Sequence, residues 1–279
     1  MKKVFFITSI FFALILLPFS TRAEPDGEAM PVKILLVPGH DNEIWGAQYG
    51  KIKEADMNLR LAQELFKILR NENRFETYIT RDNLGYTTVF ADYFASAMDE
   101  VIAFKNKAKK ETAEKIDSGE LVPKEGAPHN NAAAEMALKL YAFNKWAGEN
   151  NIDAVVHIHF NDYPRPSKWL IGKYRGFVIY VPEAQMQNAK ASITLGESIF
   201  VELKKKYITS TYPWEKGGLV PDQELIALGG NGTLPASVRS VLIEYGYIYR
   251  FGNTAFRHGA YKDMAARTAT GIKNYFFLK

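Results

Sequence analysis

Short, almost unbroken apolar runs limit what this chain can fold into more than any other feature. VKILLV (32–37), AVVHIHF (154–160), FVIYVP (177–182) and SVLIEYGY (240–247) all have this character. Such runs are too apolar for strands with one wet face, so they read as strands buried on both faces of a sheet. Segments of helical period separate them. In EADMNLRLAQELFKILRNE (54–72), Ala55, Leu59, Ala62, Leu65, Phe66 and Leu69 recur every three or four residues. That spacing gives one apolar stripe on a helix.

Further helices are predicted within 90–116 and over 132–150, about 187–206 and 254–276. RFETYITR (74–81) alternates like a strand. Strands are also expected over 152–162, 174–182 and 237–248. The stretches 40–53 and 212–236 are rich in Gly or Pro and read as loops. Strand and helix alternate throughout. The expectation is an α/β fold: a single domain with a central, mostly parallel twisted sheet flanked by helices on both faces.

The chain opens MKKVFFITSIFFALILLPFSTRA. Lys2 and Lys3 precede an apolar run, and Thr21-Arg22-Ala23 offers a small-residue cleavage site, the pattern of a secretory signal peptide. The run is short against the roughly 20 residues of a membrane span. The expected organisation is therefore a signal over 1–23, a lead-in over 24–31 and one domain over 32–279. A helical insertion lies at about 83–133. The expected destination is the periplasm or the extracellular cell wall.

The formal net charge is +4. Lys2, Lys3 and Arg22 belong to the signal, which has no acids, so the remainder is close to neutral. This gives no electrostatic case for binding nucleic acid. There is no cysteine, so disulfides and thiolate zinc sites are excluded. Any metal site must use His and carboxylates.

His40 follows the first strand at Pro38-Gly39, and His157 and His159 lie near the end of another. Ligands of open α/β sheets gather at the carboxyl ends of the strands. His157 and His159, two apart, share a strand face, so both are candidates to approach one metal. Glu54 opens a helix, where a carboxylate also complements the helix dipole. Glu244 follows Val241-Leu242-Ile243, a costly place for a charge without a partner. His129 in APHNN and His258 in FRHG read as solvated.

Two His and one Glu, with a position left for water, are a catalytic zinc set. Glu244 is then the spare carboxylate for general-base work on an amide. HExxH, GxSxG and GxxxxGK[ST] do not occur. LGGNG (228–232) reads as a turn.

Taken together, VPGHDNEIWGAQYGKIKEADMNLRLAQELFKIL, TYITRDN, HIHFN and PASVRSVLIEYGYI resemble the ordered motifs of the zinc-dependent N-acetylmuramoyl-L-alanine amidases, bacterial cell-wall hydrolases. The resemblance spans roughly 32–277. It implies one Zn2+ per chain held by His40, Glu54 and His159, with Glu244 as catalytic residue. It also implies that Asn161 lines the site, with His157 standing where the family usually has Ser.

The implied reaction cuts the amide between N-acetylmuramic acid and L-alanine in peptidoglycan, and a protein activator is a candidate partner. A zinc hydrolase acting on another amide, or a non-catalytic wall-binding module, would share these motifs. Val37 stands where the family usually has Asp, and Asp41-Asn42 where Gly-Gly is common. PASVRSV carries extra residues before the Glu block. The 83–133 segment is open to four readings: a lid, a partner surface, an inhibitory element or a solvated decoration. Trp45, Tyr49, Trp169, Tyr174, Tyr245 and Tyr247 are candidates to line a substrate groove.

Overall fold

The computed structural model describes residues 30–129 and 132–278. The expected signal over 1–23 and most of the lead-in lie outside them. VKILLVP forms β1 (Val32–Pro38), and Ile34 to Pro38 are buried. Two dipeptides, β2 (Gln48–Tyr49) and β3 (Ile52–Lys53), make a small hairpin inside the stretch read as loop. Strands this short leave no alternation to read.

Next come helix α1 (Glu54–Arg70), strand β4 (Phe75–Ile79), and helices α2 (Thr88–Asp117) and α3 (Ala134–Glu149). Strands β5 (Ala154–Asn161) and β6 (Val178–Pro182), helix α4 (Ala189–Lys204), strands β7 (Leu219–Asp222) and β8 (Arg239–Tyr247), and helix α5 (Thr254–Phe277) complete the order. β7 corrects the reading of 212–236 as all loop. It is four residues long, contains Pro221 and pairs only with β6. Proline is tolerated at such a sheet edge because no ladder donor is needed on the outer side.

Six strands form one sheet in the order β4-β1-β5-β8-β6-β7. β4, β1, β5 and β8 pair in parallel, β6 runs antiparallel to β8, and β7 runs parallel to β6. The sheet is mostly parallel, with its one reversal between β8 and β6.

Strand period two divides the apolar side chains between two faces. Ile34, Leu36, Val156, Ile158, Val241 and Ile243 pack against α1, α4 and α5 through residues such as Met57, Leu61, Ile199 and Met264. Leu35, Val37 and Val155 pack against α2 and α3 through Phe90, Phe143 and Trp146. Fully burying one such side chain contributes about 1.5–3 kcal/mol. This layered burial takes the place of the disulfides that the composition excludes.

Among the described residues, no helix is long and apolar enough to cross a membrane.

Candidate metal and catalytic site

β1 and β5 run side by side, so their carboxyl ends bring His40 and His159 to one edge of the sheet. His40 stands just past β1 with a positive φ of 61°, a conformation His adopts more readily than most residues. Arg81, 2 % exposed, fixes this turn. Its guanidinium donates to the carbonyls of Pro38, Gly39 and Ala55. Asn58 also donates to the Gly39 carbonyl. Neither residue was singled out from sequence, because each acts on backbone that is distant along the chain.

Glu54 is the first residue of α1 and is buried. Dipole complementarity alone does not require that burial. Its Oε2 lies 3.2 Å from His40 Nε2, and its Oε1 lies 3.0 Å from His159 Nδ1. The Ala47 N–H donates to Oε2 and the Asn58 amide to Oε1. Burial pushes the Glu54 carboxyl up, but hydrogen bonds from His159 and His40 outweigh it and hold it below the ordinary range. Burial lowers His159, against the pull of Glu54. For His40, the bond to Glu54 overcomes burial and raises it.

Among the described residues, His40, Glu54 and His159 form one group whose ligand atoms all lie within 4.8 Å of one another. Two glycines make the space. A Cβ on Gly39 would lie 2.1 Å from the His159 ring. One on Gly46 would lie 2.4 Å from Glu54 Oε2 and 2.5 Å from His40 Nε2. Two imidazole nitrogens and one carboxylate, converging in a glycine-lined cradle, suit a zinc ion.

Glu244 lies in register with His159 across β5 and β8, and with Val178 across β8 and β6. The residue keeps partial exposure, but its Oε2 is sealed and has no hydrogen-bond partner. Burial, then the charges of Glu54 and Glu215, raise its pKa well above the carboxylate range.

His157 faces the same side as His159 but one residue pair deeper. It is fully buried and outside the converging group. The Ala227 backbone lies beside its ring without completing a hydrogen bond, so both ring nitrogens are unpaired. Burial, then His159, push its pKa down to about 3.

Asn161 follows a β-bulge between it and His159. Its amide is held by Glu215, which the sequence did not mark. Asp41, where the motif family usually has Gly, organises the His40 loop. It accepts hydrogen bonds from the N–H groups of Glu43 and Ile44, from the Tyr86 hydroxyl and from Lys139. Burial opposes ionisation, but the Ile44 N–H and Lys139 hold its pKa down at about 2.

The solvated reading holds for His258, which is exposed on α5. It holds for His129 as well, which is exposed, but that ring is also paired. His129 Nε2 lies 2.9 Å from buried Asp222 Oδ2, and its ring packs on Tyr180. A polar pentapeptide gives no hint of that distant partner. Among the groove aromatics, Trp45 and Trp169 are exposed, Tyr49 is half-buried, and Tyr174, Tyr245 and Tyr247 belong to the core.

A family model described as N-acetylmuramoyl-L-alanine amidase matches residues 34–274. No curated protein sequence matches significantly. Among solved structures, the fold is similar to that of the CwlD amidase from Clostridioides difficile, determined in complex with the GerS lipoprotein. That match has 17 % identity and a TM-score of 0.57, covering 89 % of this chain and 100 % of that one. An N-acetylmuramoyl-L-alanine amidase from Clostridium difficile 630 matches at 13 % identity and TM-score 0.55, covering 90 % and 100 %. The corresponding amidase from Mycobacterium abscessus matches at 15 % identity and TM-score 0.55, covering 88 % and 99 %. At these identities the likeness is one of fold.

Proposed function

The chain belongs to the N-acetylmuramoyl-L-alanine amidase family, and from that premise we propose that it is an exported zinc hydrolase of peptidoglycan. Its reaction cuts the amide between the lactyl group of N-acetylmuramic acid and the L-alanine of the stem peptide. The observation that carries this reading is the convergence of His40, Glu54 and His159 beside Glu244, at the carboxyl ends of β1, β5 and β8.

His40, Glu54 and His159 would hold one zinc ion. Bound there, zinc supplies Lewis-acid activation of water and of the amide carbonyl. Arg81 and Asn58 keep the His40 turn and Glu54 in place. Glu244, a partly exposed carboxylate in register with His159, takes the proton of the attacking water. The water oxygen bonds to the carbonyl carbon and the C–N bond breaks. The proton held at Glu244 then passes to the leaving L-alanine nitrogen. Burial raises the affinity of Glu244 for that proton, and a nearby cation acts in the opposite direction.

The test is dye release from labelled peptidoglycan by the purified chain without residues 1–23, followed by mass spectrometry. Release that is lost on chelation, restored by zinc, and yields free L-alanine amino ends supports the reading. Cleavage of free peptides but not of cell wall would move the substrate to another amide. Wall binding with one zinc per chain and no cleavage would make the chain a binding module. Before that conclusion the assay is repeated with a protein activator, since one fold relative was solved with a lipoprotein partner. Periplasmic or extracellular residence is tested by fractionation of cells expressing the full chain.

A further inference from the structure

Glu215 is a carboxylate that the proposed reaction does not use. It ends a short turn over Pro213–Glu215 and is 1 % exposed. Its Oε1 accepts from Asn161 Nδ2 at 2.7 Å and from the Tyr180 hydroxyl at 2.9 Å. Its Oε2 accepts from the Tyr247 hydroxyl at 3.0 Å and from the Ser210 hydroxyl. Four donors from four separate segments meet one buried carboxylate. An apolar side chain of similar size would fill the same space without the cost of desolvating a charge.

A carboxylate differs from an amide in that it only accepts hydrogen bonds. Asn161 must therefore turn Nδ2 toward Glu215, which leaves Oδ1 pointing away from it. Oδ1 accepts no hydrogen bond from a described residue and is not among the sealed polar atoms. Asn161 is two residues beyond His159 on the same strand, past the bulge that re-aims the chain.

We propose that Glu215 is a positioning residue: it locks Asn161 with Oδ1 outward, to accept a hydrogen bond from an amide N–H of the stem peptide next to the scissile bond. This inference rests on the amidase reading for the identity of the ligand. It does not rest on it for the Glu215–Asn161 lock.

A double-mutant cycle on a soluble muramoyl-peptide substrate tests it, well below the melting temperature of each variant. Asn161→Ala removes the acceptor and should lower kcat/KM about five- to tenfold, mainly through KM, as for one neutral hydrogen bond. Glu215→Gln keeps the volume but offers a donor as well as an acceptor, so the imposed polarity is lost. It should reduce kcat/KM by several-fold in the parent and have no effect in the Asn161→Ala background. Equal losses in both backgrounds, or an unchanged kcat/KM for Asn161→Ala, would overturn the proposal.

Hydrogen exchange of the Asn161 side-chain amide, read by NMR, is independent of turnover. It should be slow in the parent and faster in Glu215→Gln. Unchanged exchange removes the lock whatever the activity. If the parent, with a protein activator present, cleaves no muramoyl–L-alanine bond, the amidase reading fails and takes the peptide ligand with it, and the exchange result still decides the lock.

Discussion

Gly46→Ala should disable the proposed metal site, and a matched substitution separates that effect from backbone strain. Gly46 has φ +70°, and Gly119, just past the end of α2, has φ +76°. Placing an L side chain in this left-handed region costs about 1–2 kcal/mol. In a domain of this size each kcal/mol lowers Tm by about 2–4 °C, so both alanine variants should melt about 2–8 °C lower.

The surroundings differ. A Cβ at Gly119 meets nothing within 4 Å. At Gly46 it meets Glu54 Oε2 and His40 Cδ2, each at 2.4 Å, where real Cβ atoms stay beyond 3.0 Å. Either the loop or the two proposed ligands must move by about half an ångström or more. Zinc affinity should fall at least about 10–100-fold, the range for disturbing the support of a ligand set. Wall cleavage should fall with it. Calorimetric zinc titration, dye release and thermal melts on the parent and both variants supply the comparison. If Gly46→Ala bound zinc like the parent, or Gly119→Ala lost zinc equally, the metal would not sit where His40 and Glu54 meet.

Three further outcomes are expected. Glu244→Gln keeps shape but cannot carry the proton, so turnover should drop about 10²–10⁴-fold with one zinc still bound. Activity within tenfold of the parent would remove Glu244 from the reaction. His157→Leu relieves two unpaired buried nitrogens, a burden of about 1–3 kcal/mol. Tm should hold or rise with zinc stoichiometry unchanged, and loss of the metal would make His157 a ligand after all.

Asp222 titrates against burial. His129 and the Leu225 N–H outweigh the desolvation and hold its pKa below the ordinary range. A depressed carboxylate stabilises the fold above its unfolded pKa of about 3.9, and that contribution disappears as pH falls through the lower folded value. Asp222→Asn should therefore be less stable than the parent near neutral pH, by about 1–3 kcal/mol. The difference should shrink below about pH 4; parallel Tm curves down to about pH 2 would refute the linkage.

The parts of the fold that were legible in the sequence are those whose pattern is local. β1, β5 and β8 are near-continuous apolar runs because helices cover both of their faces. α1 shows its stripe because Ala55, Leu59, Ala62, Leu65 and Leu69 are all buried, and Met57 and Leu61, outside that spacing, join them in the core. β7 and the β2–β3 hairpin were illegible because strands of four and two residues carry no period. The converging trio was legible for a different reason. A His at a strand end is an anomaly that local burial cannot explain, whereas Glu54, at a helix start with an ordinary dipole role, stood out only through the motif resemblance. Their supports carry no such mark. In YPWEKGG, Glu215 reads as a surface charge. It becomes a buried acceptor only when Asn161, Tyr180, Ser210 and Tyr247 arrive from elsewhere. Arg81 is similar: its partners are backbone carbonyls, which no side-chain pattern reports.

The 83–133 insertion divides into two physical regimes, which narrows the readings open to it. Its near part is built into the domain. The Tyr86 hydroxyl donates to Asp41 beside His40, and Phe90 packs on Trp146 and Phe143 of α3. After α2, Ala127 joins the apolar cluster of Val178, Tyr180 and Leu242, on the strands that carry and neighbour Glu244. That part is wall: together with α3 and the 225–238 segment it covers one face of the sheet. From Ala108, the last buried residue of α2, the helix runs outward with its Lys107–Glu111 and Lys110–Glu114 pairs in solvent. Such exposed pairs contribute only about 0.3–0.5 kcal/mol each. The outer turns therefore hold their shape by extending a helix already nucleated on the core. A solvated decoration describes those outer turns alone. A role in shaping the site belongs to the inner part, where Tyr86 and Ala127 connect the insertion to both sides of the candidate centre.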